Sequence, residues 1–436
     1  MLMLNTVSAA SATPRGWQLI TIFQELSKEY GPTVLTESTV ALSLLLTFKL
    51  AAREFGKEGF SEYAIARRTI SLLFPFLILG LPLALPRYIG RASGDLNRCT
   101  RYYGATLWCQ ACLASLAGIF ITLFRKEFAF VFFGSENYAN LAFPVTLVLI
   151  GLSLHAVVYN YFRGHLALRH ANAMQLTNFA VVPMIAFYLF GTSVYAVLTA
   201  WGAGTAAVAT TGLLWFTPWR SALGSRSWRE AKELLRYGIP RIPGGFALLA
   251  LMTLPATFTV HLRGIQEGGF VAFSISLLNM IGAMFTPIGV VLLPKASQMC
   301  AEGAYGTLRA HVMRLLKLTV IVALGFTLTF EIFAGVIIRT YLGKDFSDVV
   351  ALTRVVALAA LPFAVFYVLQ GLIDAHHTRP VNAVNCIYSL AIFMIACAPA
   401  FIYEPEIVIP WALVAGIFTL GILTVRESRR LLQAGS

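Results

Sequence analysis

The sequence is poor in charge. Only 12% of its 436 residues are Asp, Glu, Lys or Arg, while 58% are hydrophobic. A soluble domain carries about 25% charged residues, so a water-facing globule is excluded. No polar stretch is long enough for a soluble domain of about 50 residues. Cysteine is scarce too: the six, at 99, 109, 112, 300, 386 and 397, lie in or beside apolar runs, which excludes a secreted disulfide scaffold. The first sixteen residues lack the charged start and apolar core of a cleaved signal, so insertion is expected to depend on the first spanning helix.

Chemical motifs are equally sparse. Cys109-Gln110-Ala111-Cys112 has redox spacing, but it sits in mid-span, where a thiolate is costly. Gly202-Ala203-Gly204 follows no strand and suits close helix packing better than dinucleotide binding. His376-His377 and the set His155, His165 and His170 lack carboxylate or thiolate partners at metal spacing, so no metal is expected. There is no Asp-x-Asp pair and no phosphate-binding loop, and no cofactor is expected. The net charge of +13 comes without an aromatic-interleaved basic patch, which argues against nucleic acid.

What the sequence has in abundance is apolar runs. A spanning helix needs about 20 such residues. About twelve are present, which predicts an all-α polytopic membrane protein. About two-thirds of the 33 Lys and Arg fall on one set of connecting segments, which predicts that both termini are cytoplasmic.

One stretch repeats. Gly59-Phe60 leads through an apolar run to Leu85-Pro86-Arg87. Gly269-Phe270, about 210 residues later, leads to Leu293-Pro294-Lys295. Phe133-Gly134 pairs with Leu342-Gly343, Tyr30-Gly31 with Tyr237-Gly238, and Arg169-x-x-Asn172-Ala173 with Arg379-x-x-Asn382-Ala383. The register predicts two similar halves of six spans, residues 1–216 and 244–436, joined by a cytoplasmic linker, 217–243. With six spans each, the halves face the same way and the twofold axis stands along the membrane normal. Trp17–Tyr30 and Trp228–Tyr237 read as amphipathic surface segments, with Leu234 and Leu235 on the headgroup boundary. Pro82 with Pro86, and Pro287 with Pro294, mark bends expected at equivalent places in both halves.

Charges inside spans cost about 2.5–3.5 kcal/mol each and are candidates for function. The first two spans carry Lys49, Arg53, Arg67 and Arg68. The equivalent positions in the second half are Thr257, His261, Ile275 and Ser276, so the cations belong to one half alone. Two readings fit: groups that line a cavity, and side chains snorkelling to headgroups. Arg354 near a helix end has the same ambiguity. Glu37, Glu331 and Asp374 are the embedded acids, with coupling and ion pairing as alternative roles. His155 and Asn160 share the fourth span, five apart and on different faces. An embedded excess of cations suits a phosphate or diphosphate headgroup and repels a cationic drug.

Gly59-Phe60, Glu62-Tyr63-Ala64, Arg67-Arg68 and Leu85-Pro86-Arg87-Tyr88 together resemble the polysaccharide-biosynthesis flippases. These form the O-antigen and lipid-linked oligosaccharide branch of the multidrug/oligosaccharidyl-lipid/polysaccharide exporter superfamily. The resemblance implies two six-helix lobes around a V-shaped cavity. It also implies transport of an undecaprenyl-diphosphate-linked glycan across a bacterial inner membrane, with Lys49, Arg53, Arg67 and Arg68 as its contacts. The expected partners are that carrier lipid, bulk membrane lipid, a coupling H+ or Na+, and the glycosyltransferases and polymerase of the same pathway. Two departures narrow the choice. The chain ends shortly after the twelfth run, without the two extra helices of the peptidoglycan-precursor flippases. The first span also lacks the mid-membrane aspartate of many drug/cation antiporters. Such an antiporter is the alternative reading, and a glycan-building membrane enzyme is a third.

Overall fold

The computed structural model describes residues 15–92, 94–225, 227–301, 303–376 and 380–434. His377 and Arg379, which entered the histidine and repeat motifs, lie outside the described residues, as do the side chains of Trp17–Tyr30, Pro287, Pro294 and Lys295.

The described residues form helices and connecting turns, with no strand among them. The first half comprises α1 (Arg15–Ile78), α2 (Leu81–Arg91), α3 (Leu96–Leu123), α4 (Arg125–Phe133), α5 (Ala142–Gly164), α6 (Leu168–Leu176), α7 (Val182–Phe190) and α8 (Val194–Phe216). The connector holds α9 (Trp219–Gly224) and α10 (Trp228–Gly238). The second half comprises α11 (Ile242–Arg263), α12 (Ile265–Ala301), α13 (Tyr305–Tyr341), α14 (Val349–Ala357), α15 (Ala360–His376), α16 (Val381–Cys397) and α17 (Pro405–Ala434).

Among the described residues ten helices are long and apolar enough to cross a membrane, or eleven when α14 and α15, bent by 42°, count as one span. Gly56 accounts for the difference from the twelve runs. Within α1 it takes φ 65° and ψ −165°, outside the helical region. Phe48 and Tyr63 lie fifteen positions apart, about 22 Å along a straight helix. Their rings are 5.8 Å apart, so the chain folds back at Gly56. The 44-residue segment Leu35–Ile78 is thus a hairpin, each arm long enough to cross a bilayer. A side chain at Gly56 would have to adopt the left-handed region, which L residues rarely occupy.

The repeat is visible in the turns. Gly134 (φ 77°) ends α4 and Gly343 (φ 115°) ends the α13 turn, and a short 3₁₀ segment follows each. Within the first half, Gly151 of α5 and Gly202 of α8 let two backbones touch. A Cβ on Gly202 would lie 2.6 Å from the Val148 amide nitrogen, so the small-residue motif serves helix approach. In the second half Gly371 does the same: a Cβ there would stand 2.2 Å from the Gly289 carbonyl oxygen, bringing α15 onto α12.

The first half breaks at Leu79–Gly80 (φ 40° and 70°), just before Pro82, whereas α12 is one continuous helix from Ile265 to Ala301. Gly80 is where the connector docks, with a Cβ there 2.7 Å from the Gly238 Cα. One expectation is corrected: the apolar face of α10 does not lie on headgroups. Leu234 is fully buried against α2 and α3. Arg101 meets Glu230 at 2.8 Å, and Tyr102 donates to Glu233 at 2.5 Å. The connector is part of the first half's packing.

The halves meet along α1, α11 and α12, with α4 touching α11. Their polar links gather at the end of the bundle that carries Gly56. Lys57 Nζ reaches Asp348 Oδ2 at 3.1 Å, the His261 ring meets the Val131 carbonyl at 2.8 Å, and Ser61 donates to the Gln266 carbonyl at 3.0 Å. The aromatic side chains of Phe48, Phe60, Phe273 and Phe346 interlock there. Towards the connector end, the second arm of α1 meets α11 through Phe76 and Phe246, 4.7 Å between centroids. The molecule is therefore clasped at its Gly56 end.

Candidate functional site

The clasp is built from equivalent residues facing one another. Arg68 Nη2 donates to Ser276 Oγ at 2.6 Å, and its Nε and Nη2 both reach the Ala272 carbonyl at 3.2 Å. Arg68 and Ser276 are 208 apart, the repeat offset, so their contact lies on the pseudo-twofold axis. Ser61 and Gly269 obey the same offset and are packed so tightly that a Cβ on Gly269 would sit 2.2 Å from the Ser61 Cβ. Arg68 is 7% exposed and tied to α12. It holds the halves together and does not face open space.

Arg67, next in the chain, turns elsewhere. Its guanidinium donates to Tyr63 Oη at 2.9 Å and lies 5.0 Å from the Trp201 ring and 5.7 Å from those of Phe48 and Tyr63. This is an aromatic cage with no acid in contact among the described residues; three ring faces supply the counter-field.

Lys49 and Arg53 do share a space. They stand one turn apart on the first arm of α1 and line an open cavity of about 650 Å³ between that arm and the Tyr341–Phe346 turn. Lys57, just beyond the Gly56 turn, lines it too, brought there by the fold-back. Sequence reasoning missed Lys57 because it lies outside the apolar runs in which embedded charges stand out. Lys57 is committed to Asp348, and Arg53 to its neighbour Glu54 at 3.4 Å. Lys49 has no hydrogen-bond or ion-pair partner among the described residues and is exposed. Asp345 is the one acid in the lining, so cations outnumber it. The site can accept an anion.

The embedded acids are dispersed. Glu331 Oε2 is 3.8 Å from Arg354 Nε, with Glu331 half-buried; this pair links α13 to α14. Asp374 accepts from Asn382 at 2.7 Å, an inter-helix tie in the second half. Glu37 accepts from Gln175 at 3.3 Å and begins a polar chain. Gln175 Oε1 is 3.2 Å from His155 Nε2, and His155 Nδ1 is 2.7 Å from Asn178 Nδ2, with His155 and Asn178 both buried. Asn178 lies on a π-helical turn, Thr177–Val181, a local widening that often marks function. Asn172, on the same helical path, bonds Thr33 at 3.0 Å. Asn160 donates to its own helix at Ala156, 2.7 Å away, and stays out of the chain. Gln175 and Asn178 were not singled out from sequence, although Asn172, Gln175 and Asn178 form a polar stripe at helical spacing. No cluster of three metal-ligating side chains occurs among the described residues.

Comparison with solved structures places this architecture. The chain is similar to an inward-facing multidrug resistance MATE family transporter of the multidrug/oligosaccharidyl-lipid/polysaccharide superfamily: 14% identity, 91% of this chain and 95% of that one, TM-score 0.77. An outward-facing member gives 13% identity, coverage of 93% and 96%, and TM-score 0.59. A superfamily transporter from Pyrococcus furiosus, described as having reversed binding-pocket polarity, gives 14% identity, coverage of 92% and 96%, and TM-score 0.60. No curated protein matches the sequence significantly. The chain shares the helical fold of these transporters. Within it, the profile of the polysaccharide biosynthesis protein family matches residues 29–300, and the chain belongs to that family.

Proposed function

We propose that the protein carries an undecaprenyl-diphosphate-linked oligosaccharide, an O-antigen or exopolysaccharide repeat unit, across a bacterial inner membrane. The observation that carries this reading is the cationic cavity of Lys49, Arg53 and Lys57, placed where the halves meet, in which Lys49 has no partner among the described residues. A diphosphate offers the charge and acceptors that such a site matches. The positive-inside bias puts the termini and connector in the cytoplasm, and hence the Gly56 end outside. The clasp at that end, and the higher similarity to an inward-facing than to an outward-facing relative, support a resting state open to the cytoplasm. Rocking of the lobes 1–216 and 244–436, with the 217–243 connector moving with the first, would carry the polar head outward while the lipid tail stays in the bilayer. Membrane potential, negative inside, favours outward movement of an anion by about 2.3 kcal/mol per charge per 100 mV. Among the acids, Glu37 is the candidate for coupling to H+ or Na+, because it opens the chain through Gln175 to His155. Glu331 and Asp374 are engaged in pairing. The glycosyltransferases and polymerase of the same pathway are the expected protein partners, and the protein builds no glycan itself.

Deleting the gene should strip the corresponding glycan from the cell surface and leave lipid-linked oligosaccharide on the inner leaflet; the wild-type gene should restore both. Unchanged surface glycan in the deletion strain would refute the reading. The same chain from Glu37 to Asn178 would also serve an antiporter of organic cations. For that alternative, the deletion strain would become drug-sensitive with its glycan intact.

A further inference from the structure

Next to the cationic cavity lies a second space of a different character. Between the first arm of α1 and helices α12 to α14 is a groove of about 310 Å³, lined by Leu45, Leu277, Ile281, Met284, Phe330 and Ile337 among others. Its few polar groups are spent within the protein. Ser274 Oγ and Thr353 Oγ1 are 2.9 Å apart and each also bonds its own helix, and Tyr341 Oη donates to the Leu45 carbonyl. The groove therefore offers an occupant no hydrogen bond, and water or sugar would gain nothing there. It is open to the surroundings of the bundle: Met284 is 67% exposed and Ile337 39%.

The two spaces are contiguous. Tyr341 lines both, and Leu45 in the groove is one helical turn from Lys49 in the cavity. One apolar channel ending at one cluster of cations matches a lipid with a single hydrocarbon chain on a phosphate. A glycerophospholipid would bring a second chain for which this groove has no counterpart. We propose that the groove and cavity together form a binding site for the carrier lipid: its isoprenoid chain lies against α12 and α13, and its phosphate meets Lys49 and Arg53. This rests on the transport reading and adds to it the seat of the lipid tail. The seat spans the seam between halves, because Leu45 belongs to the first and the remaining lining to the second. Relative motion of the halves would reshape it, coupling tail binding to the transport cycle.

The test uses the purified full-length protein in phosphatidylcholine nanodiscs, with undecaprenyl phosphate as probe and phosphatidylglycerol as comparison, both read by native mass spectrometry. Tryptophans at two exposed groove positions, Met284→Trp with Ile337→Trp, fill the channel without touching the buried core. Their combination should weaken undecaprenyl phosphate binding about tenfold or more and leave phosphatidylglycerol binding unchanged. Lys49→Ala with Arg53→Ala should weaken undecaprenyl phosphate binding with the groove left open. Unchanged undecaprenyl phosphate binding in the tryptophan variant overturns the proposal, and so does equal weakening of both lipids, which would mark a bulk-lipid contact. Surface glycan in the strain of origin is scored separately. Restoration by the wild-type gene together with unchanged lipid binding in the tryptophan variant sinks the groove and leaves transport standing. A wild-type gene that fails to restore the glycan sinks transport, and the carrier as occupant with it.

Discussion

Replacing Lys49 with alanine is expected to lower surface glycan in the complemented deletion strain by about tenfold to a hundredfold, with the protein still inserted at normal level. The range follows from one charge-assisted hydrogen bond, about 1.5–3 kcal/mol. The effect should fall on transport and not on folding, because Lys49 is exposed and holds no partner among the described residues. Lys49→Arg should retain most activity, since it keeps the charge. Arg53→Ala should be milder, as Arg53 is shared with Glu54. Glycan levels indistinguishable from wild type in Lys49→Ala would remove the cavity from the transport path.

Gly269→Val should be the most damaging single substitution at the interface. A Cβ there would meet the Ser61 Cβ at 2.2 Å and Cα at 2.3 Å, both on a rigid helix that cannot yield as a flexible side-chain tip can. The second arm of α1 and α12 would be forced apart, breaking the Ser61 bond to Gln266 and the Arg68 bonds to Ala272 and Ser276. Transport should fall to background, and the thermal midpoint of the purified protein should drop. Overpacking of this kind costs about 1–3 kcal/mol before the lost hydrogen bonds are added. Gly325→Val is the control: a Cβ there has nothing within 4 Å, so both readouts should stay near wild type. Wild-type transport by Gly269→Val would mean that the tight clasp is not part of the cycle.

The sequence carried the architecture well because the repeat is a one-dimensional signal. Equivalent turns at Gly134 and Gly343 and the apolar runs needed no knowledge of contacts. It carried the site poorly because side-chain direction is three-dimensional. Arg67 and Arg68 look alike as adjacent embedded cations, yet one enters an aromatic cage and the other crosses to the second half. Ser276 occupied the position equivalent to Arg68 and read as a missing cation; it is in fact the hydrogen-bond partner, a relation visible only once the pseudo-twofold axis passes between them. Glu331 and Arg354 were both legible as embedded charges, but 23 positions of sequence hide a 3.8 Å contact. Leu234 was assigned to lipid because an amphipathic helix presents the same pattern to a membrane and to a protein groove. The stripe Asn172, Gln175 and Asn178 was available at helical spacing, and it would have tied Glu37 to His155.

Alternating access requires the Gly56 end to open during transport. The most direct measurement joins the halves there in a protein freed of its six native cysteines. Val131→Cys and His261→Cys lie on α4 and α11, where the native side chain and carbonyl are 2.8 Å apart, and neither lines the cationic cavity. A short bis-methanethiosulfonate cross-linker, which forms a disulfide with each cysteine and releases methanesulfinate, should abolish transport of lipid-linked oligosaccharide in proteoliposomes, and reductant should restore it. Full transport with the link intact would contradict the alternating opening of the two halves.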